Sequence, residues 1–153
     1  MTAVSPPDRT PRQRWMAVLA RATQAELEAI FHRLGGEPPH QMLKAPECAT
    51  LMVEGRTGGS GQRFNLGEAT LTRCVVRLDE GQVGFSYALG RDKRKARLAA
   101  LLDALLQAPE RQEVLLNETV APLAARQEAA RAEDRRQAAA TKVDFFTLVR
   151  GDG

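Results

Sequence analysis

The stretch Glu54-Gly-Arg-Thr-Gly-Gly-Ser-Gly-Gln-Arg-Phe-Asn-Leu-Gly-Glu68 separates two runs of strand-forming residues. The runs cover residues 51–53 and 71–78, and both are rich in aliphatic and β-branched side chains. Glycine adopts positive φ without penalty and lets other groups approach the backbone closely. The stretch therefore predicts either a mobile hairpin connection or a backbone cradle for an anion, and the sequence leaves both open.

Candidate anion-binding residues lie in this stretch and after it. Arginine guanidinium groups match the oxygens of phosphate and phosphonate, and successive backbone N–H groups can form an anion-binding nest. A flexible loop with solvated arginines is the alternative interpretation. The candidate set is Arg56, Gly58, Gly59, Gly61, Arg63, Arg73 and Arg91.

The pattern around the stretch predicts an α+β fold. Residues 48–56 and 68–79 have strand character, and a turn at Asp79-Glu-Gly81 leads to a further strand over 83–89. Residues 68–89 are thus expected to form an antiparallel hairpin packed with helices. Capping boxes that start at Thr10 and Thr23 predict two short helices. Asp92 is the predicted N-cap of a third helix, whose buried stripe is Leu98, Leu101, Leu102, Leu105 and Leu106.

A long alanine-rich helical region is predicted after Pro109, over about 110–140, with Pro122 dividing or kinking it. Residues 124–140 carry few large apolar side chains, so this part is expected to project or to lie on a partner. The segment that follows has two adjacent phenylalanines and predicts a docking tail. Its candidate partner-interface residues are Phe145, Phe146, Val149 and Arg150.

Length and composition predict one domain over 10–153, after a disordered lead-in over 1–9. Of 153 residues 43% are apolar, and the net charge is 22 − 19 = +3. Cys48 and Cys74 are isolated, which excludes a CxxC zinc or redox motif and favours the reducing cytoplasm. No apolar run approaches the length of a membrane span.

Standard catalytic motifs do not fit this chain. The glycine-rich stretch contains no P-loop, and a GxGxxG that starts at Gly59 ends on Phe64. His32 and His40 are the available histidine bases, and a packed or solvent-facing histidine is the better interpretation of His32. We therefore predict neither a catalytic residue nor a metal site in this chain.

A basic run marks the start of the third helix. Its cations oppose the helix dipole by about 0.3–1 kcal/mol each when exposed. An anionic ligand, an acidic partner or solvent would offset this unfavourable interaction with the dipole. The same run supports an alternative function, a small nucleic-acid-binding module, although the low net charge and sparse aromatics argue against it. The run consists of Arg91, Lys93, Arg94, Lys95 and Arg97.

Several distinctive blocks of residues follow one another along the chain. They are Arg14-Trp-Met-Ala-Val-Leu19, the loop from Gly58 to Phe64, Arg73 with Val75-Val-Arg-Leu78, Gly84-Phe-Ser-Tyr87, Leu89-Gly-Arg-Asp-Lys93, Asp103-Ala-Leu-Leu-Gln107, Val143-Asp-Phe-Phe-Thr147 and Val149-Arg-Gly-Asp152. In this order they resemble the G subunit of bacterial carbon–phosphorus lyase. The resemblance spans almost the whole chain, and some relatives have a histidine at the position of Lys95.

The resemblance implies an accessory subunit of the core complex that degrades phosphonates, assembled with the H, I and J subunits and mainly contacting I. In that system the I subunit, supported by G, H and L, replaces the adenine of ATP with an alkylphosphonate, which gives α-ribose 1-alkylphosphonate 5-triphosphate. The J subunit, a radical S-adenosylmethionine enzyme with an iron–sulfur cluster, later cleaves the carbon–phosphorus bond. The resemblance thus implies that this chain binds no cofactor and has no independent activity.

Overall fold

The computed structural model of the protein describes residues 8–143, in which α-helices pack on a three-stranded antiparallel sheet of order β1-β2-β3. This confirms the predicted α+β class and the hairpin over 68–89. The strands are β1 (His40–Arg56), β2 (Arg63–Leu78) and β3 (Val83–Leu89). The α-helices are α1 (Pro11–Arg21), α2 (Gln24–Arg33), α3 (Lys93–Leu106), α4 (Pro109–Leu115) and α5 (Ala121–Ala140).

The first three helices begin where their caps predict. The side chains of Thr10 and Thr23 each accept a hydrogen bond from the backbone N–H three residues later. In turn, the backbone N–H of each threonine donates to the side-chain oxygen of Gln13 or Glu26. Asp92 accepts from the N–H of Lys95 at the start of α3. Each cap satisfies donors that the first helical turn leaves without an intrahelical partner.

Helix α3 supplies the largest share of the hydrophobic core. All five leucines of its predicted stripe are buried. They pack with Cys74, Val76 and Leu78 of β2 on one face of the sheet, here called the inner face, and with Leu19 and Leu27 of the first two helices. β3 approaches this helix very closely, since a Cβ on Gly84 would lie 1.9 Å from the carbonyl oxygen of Ala100.

The first two strands are longer than the sequence pattern indicates. β1 begins at His40 rather than at 48, and β2 begins at Arg63 rather than at 68. Pro46 obscures the pattern of β1, but the strand lies at the edge of the sheet and shifts its register around this proline, a position where a missing N–H is tolerated. Most of the glycine-rich stretch is therefore strand, and its connection is confined to residues 57–62.

Pro122 divides the long helical region as predicted. A π-helical turn over Leu116–Val120 comes directly before it, where the missing proline N–H interrupts the regular ladder. In α5 only Leu123 is buried, and nearly all side chains from Glu128 onward are exposed. Residues 1–7 of the lead-in predicted over 1–9 lie outside the described residues. So do the candidate docking residues Phe145, Phe146, Val149 and Arg150.

Candidate functional site

The tip of the β1–β2 hairpin holds five of the seven candidate anion-binding residues. Gly58 and Gly59 have φ of 60° and 81°, which explains why glycine occupies both positions. The N–H of Gly61 donates to the carbonyl oxygen of Thr57 at 2.8 Å, and a Cβ on Gly61 would come within 2.6 Å of that oxygen. The glycines therefore make a tight exposed turn.

The two tip arginines face each other across the hairpin. Arg56 and Arg63 are register partners at the last pair before the turn, and both are exposed. Glu54 lies 3.8 Å from Arg63 and partly neutralises it. The structure thus brings two guanidinium groups and three glycines to one end of the sheet. An anion-binding role for this end remains a prediction.

Arg73 lies elsewhere, on the sheet face opposite α3. It lies ten positions from Arg63 along β2, or about 33 Å at the rise of an extended strand. Arg73 forms an ion pair with Glu47 on the neighbouring strand. Hydrogen bonds from Lys44 and then from Arg73 hold the pKa of Glu47 below its usual value. Arg73 therefore does not converge with the tip arginines.

Arg91 is exposed just beyond the end of β3, where the N–H of Gly90 donates to the carbonyl oxygen of Thr70 at 2.9 Å. Thr70 lies seven positions from Arg63 along β2, about 23 Å of extended chain. The seven candidates accordingly occupy three separate places along the sheet rather than one pocket.

The basic start of α3 has partners within this chain. Arg94 binds Glu28 of α2, and Arg97 binds Glu37 with its nitrogen 2.8 Å from the carboxylate oxygen. The hydrogen bond from Arg94, followed by one from Gln24, lowers the pKa of Glu28. In the folded chain, ion pairs with Glu28 and Glu37 therefore neutralise part of the positive charge of the basic run. These contacts favour a structural role for Arg94 and Arg97, and no described contact favours the nucleic-acid alternative.

An acidic residue that the sequence did not single out organises the interior. Asp103 has no exposed surface, and its carboxylate accepts hydrogen bonds from Arg12, from Trp15 Nε1 at 2.8 Å and from the N–H of Phe85 at 2.9 Å. It joins α1, α3 and the edge of β3. The sequence does hint at this role, because Asp103 lies among the leucines of a buried helix, where a carboxylate needs hydrogen-bond donors.

A cleft of about 990 Å³ opens between α1 and the exposed end of β3. Arg9, Arg21 and Lys95 line it together with Tyr87 and Leu89. Lys95 is thereby placed at the wall of an open cleft. Asp8 also lines this cleft, so its charge is mixed.

The histidines occupy separate positions. His32 is exposed on α2, and Nδ1 of His40 lies 2.7 Å from the carbonyl oxygen of Pro38. Over residues 8–143, no three side chains of histidine, cysteine, aspartate or glutamate gather in an arrangement that could hold a metal ion. Within the same range, no helix has the length and apolar character needed to cross a membrane.

Comparison with known proteins decides the family. Residues 10–151 match the family described as phosphonate metabolism protein PhnG. The chain belongs to the PhnG family. It is also 49% identical over 146 residues to the alpha-D-ribose 1-methylphosphonate 5-triphosphate synthase subunit PhnG of Rhizobium meliloti (strain 1021). That alignment covers 92% of this chain and 90% of the relative.

Proposed function

We propose that this chain is an accessory subunit of a synthase that makes α-D-ribose 1-alkylphosphonate 5-triphosphate during phosphonate degradation. One observation carries the proposal: 49% identity over 92% of the chain to a PhnG subunit of α-D-ribose 1-methylphosphonate 5-triphosphate synthase. The family match over residues 10–151 supports it. In this role the chain assists the displacement of adenine from ATP by the phosphonate without supplying a reacting group.

The partners in this proposal are the H, I and J subunits, with I as the main contact, and the L subunit for the nucleosidyl-transfer step. ATP and an alkylphosphonate are substrates of the assembly. The iron–sulfur cluster and S-adenosylmethionine belong to J. A reducing cytoplasm suits the two separate thiols, Cys48 and Cys74.

Helix α5 supports the idea of an obligate partner. A twenty-residue helix with one buried side chain gains little from packing, and intrahelical ion pairs such as Arg131–Glu128 and Arg136–Glu133 add only a few tenths of a kcal/mol each. A partner surface on α5 would stabilise it. We propose that α5 and the following residues Phe145 and Phe146 dock on the I subunit.

The test is reconstitution. The chain is co-expressed with H, I and J, and native mass spectrometry measures the mass of the assembly. The L subunit is then added, and the release of adenine from ATP in the presence of methylphosphonate is measured. The proposal expects a discrete assembly that contains this chain, and loss of adenine release when the chain is omitted. Full activity without the chain would overturn it.

A paired variant separates docking from folding. Phe145→Ser with Phe146→Ser is expected to remove the chain from the assembly, whereas the control Val114→Ser changes an exposed apolar residue of α4 and leaves assembly unchanged. Assembly that survives the double change would show that the tail is not the docking element.

A second variant tests whether the tip arginines contact the phosphates of the substrate. The KM for ATP is measured for an intact assembly that carries Arg63→Ala.

A further inference from the structure

The apolar side of the sheet changes face partway along the β1–β2 hairpin. Near α3, β2 sends Cys74 and Val76 to the buried inner face, whereas its outer face carries Arg73 and Arg77 on either side of the half-buried Val75. Side chains alternate along a strand, so a sheet with helices on one face should keep its apolar residues on that face throughout. The distal half of this hairpin does the opposite.

From Leu71 outward, the apolar side chains lie on the outer face. Ala49, Leu71 and Leu89 are direct neighbours across the three strands, and Leu51 and Val53 follow on the same face of β1. A Cβ on Gly55 would touch the side chains of Leu66 and Phe64, which places those two on this face as well. We call this surface the arm face. It consists of Ala49, Leu51, Val53, Phe64, Leu66, Ala69, Leu71 and Leu89.

The other side of the same arm is mostly polar. Thr50 is paired with Thr70, and Met52 is paired with Glu68. The arm is thus amphipathic, with its apolar surface turned away from α3. Leu71, at the base of this surface, is buried, whereas Leu51, Leu66 and Leu89 are 51%, 63% and 74% exposed, so most of the large apolar side chains beyond Leu71 face solvent in the described part of the chain.

Such an arm needs a second layer. A two-stranded ribbon on its own is marginal in water, and the arm face extends over seven residues of β1, about 23 Å. A contiguous exposed apolar patch of this kind, rimmed by charged side chains, is typical of a protein–protein contact.

The charges at the border define the occupant. Arg73 and Arg77 lie on the outer face toward the base of the hairpin, Lys44 lies on the same face of β1, and Arg91 follows the end of β3. Facing these four cations is the carboxylate of Glu47, which binds both Lys44 and Arg73. A second copy would bring the same arginine-rich border against itself, whereas a different chain with carboxylates around an aliphatic centre would complement it.

We propose that the arm face is covered by another subunit of the synthase, through a surface that is aliphatic at its centre and acidic at its border. This rests on the proposed function. It explains why the distal hairpin is amphipathic, and it gives the arginine-rich border of the arm face a protein partner. The interface is separate from α5, so this chain contacts its assembly through two surfaces.

The test uses two variants of the same arm. Leu51→Ser with Leu66→Ser removes apolar side chains from the arm face, and Met52→Ser removes a side chain of comparable exposure, 57%, from the polar side. Each form is co-expressed with H, I and J, and the retained fraction is measured by native mass spectrometry. The double variant is expected to be retained at least about tenfold less than the wild type, and Met52→Ser about equally. Circular dichroism confirms that both variants fold.

Charge reversal tests the border. Arg91→Glu is expected to lower retention at low salt more than at high salt, and the control Arg33→Glu, on α2, changes neither. Undiminished assembly of the Leu51→Ser, Leu66→Ser form would overturn this proposal and leave the proposed function standing. If the chain alone forms a dimer, and Leu51→Ser with Leu66→Ser converts that dimer to monomers, the occupant of the arm face is a second copy and the proposal is overturned. A wild-type chain that H, I and J never retain would overturn the proposed function, and this inference with it.

Discussion

Nη2 of Arg12 lies 2.6 Å from Oδ2 of Asp103, and the carboxylate has no exposed surface although the two residues are 91 positions apart. The pair connects the first helix to the leucine helix. The N–H of Trp15 and the backbone N–H of Phe85 complete the hydrogen bonds of the same carboxylate. The buried carboxylate of Asp103 therefore ties α1 and β3 to α3 inside a largely apolar core.

Asp103→Ala should lower the free energy of unfolding by about 3 kcal/mol, because it leaves the Arg12 guanidinium and the buried indole N–H without their acceptor. Asp103→Asn keeps one oxygen acceptor and should cost less. Urea denaturation of the two variants measures both effects. As a control, Asp134→Ala on the exposed part of α5 should change stability by less than about 0.5 kcal/mol. Equal stability of Asp103→Ala and the wild type would contradict the proposed role.

Gly84→Ala should destabilise the protein by about 3 kcal/mol or more, since the new Cβ would meet the carbonyl oxygen of Ala100, a backbone atom that cannot move alone. Gly55→Ala is the matched change. There the new Cβ would meet the tip of the Leu66 side chain at 2.8 Å, and that side chain can rotate away. Thermal unfolding should show a much larger loss for Gly84→Ala. Similar losses would show that β3 does not pack as closely on α3 as described.

Local signals predicted most of this fold, and long-range contacts explain what they missed. The caps at Thr10, Thr23 and Asp92 and the leucine stripe depend on residues a few positions apart, so they are visible in the sequence. The early start of β1 is not, because Pro46 is acceptable only on an edge strand, and edge position is a property of the sheet.

The same distinction holds for the candidate site. The sequence grouped Arg73 and Arg91 with the arginines of the glycine-rich stretch but did not show how far they lie from the tip, since that depends on how far β2 extends. It also could not pair Arg94 with Glu28, or Arg97 with Glu37, across 60 or more positions. The sequence shows that apolar side chains alternate along β2 from Leu71 toward the tip. It does not show that they lie on the face opposite α3, because that depends on which face of the sheet the helix covers.

The two thiols should react at very different rates. Cys48 is exposed, whereas burial raises the pKa of the Cys74 thiol despite an opposing effect of Arg97. Because the thiolate is the reactive species, a disulfide reagent at about pH 8 should modify one thiol per folded chain quickly and the second only after unfolding. Cys48→Ser should abolish the fast phase. Two equally fast thiols would contradict the buried position of Cys74.

Acid should weaken the link between α2 and α3. The hydrogen bond from Arg94 lowers the pKa of Glu28 in the folded chain, so its stabilising effect is present above the unfolded pKa and is lost as the pH falls through the lowered value. The thermal midpoint of Glu28→Gln should therefore lie below that of the wild type at neutral pH, and the gap should close below about pH 4. Glu113→Gln, which changes an exposed residue of α4, should show no such pH-dependent gap. A gap that widens in acid would contradict the sign of the effect.

Helix α5 should exchange its amide hydrogens quickly in the chain alone and slowly in the assembly. Only Leu123 of this helix is buried, so residues 128–140 depend on helix propensity and on ion pairs such as Arg135–Glu128, and local opening should cost little. Residues of α3, whose leucines are buried, serve as the internal control and should be protected in both states. Hydrogen exchange followed by mass spectrometry compares the two helices directly. Protection of 128–140 that is strong already in the chain alone would show that α5 needs no partner, and protection that does not rise on assembly would remove it from the interface.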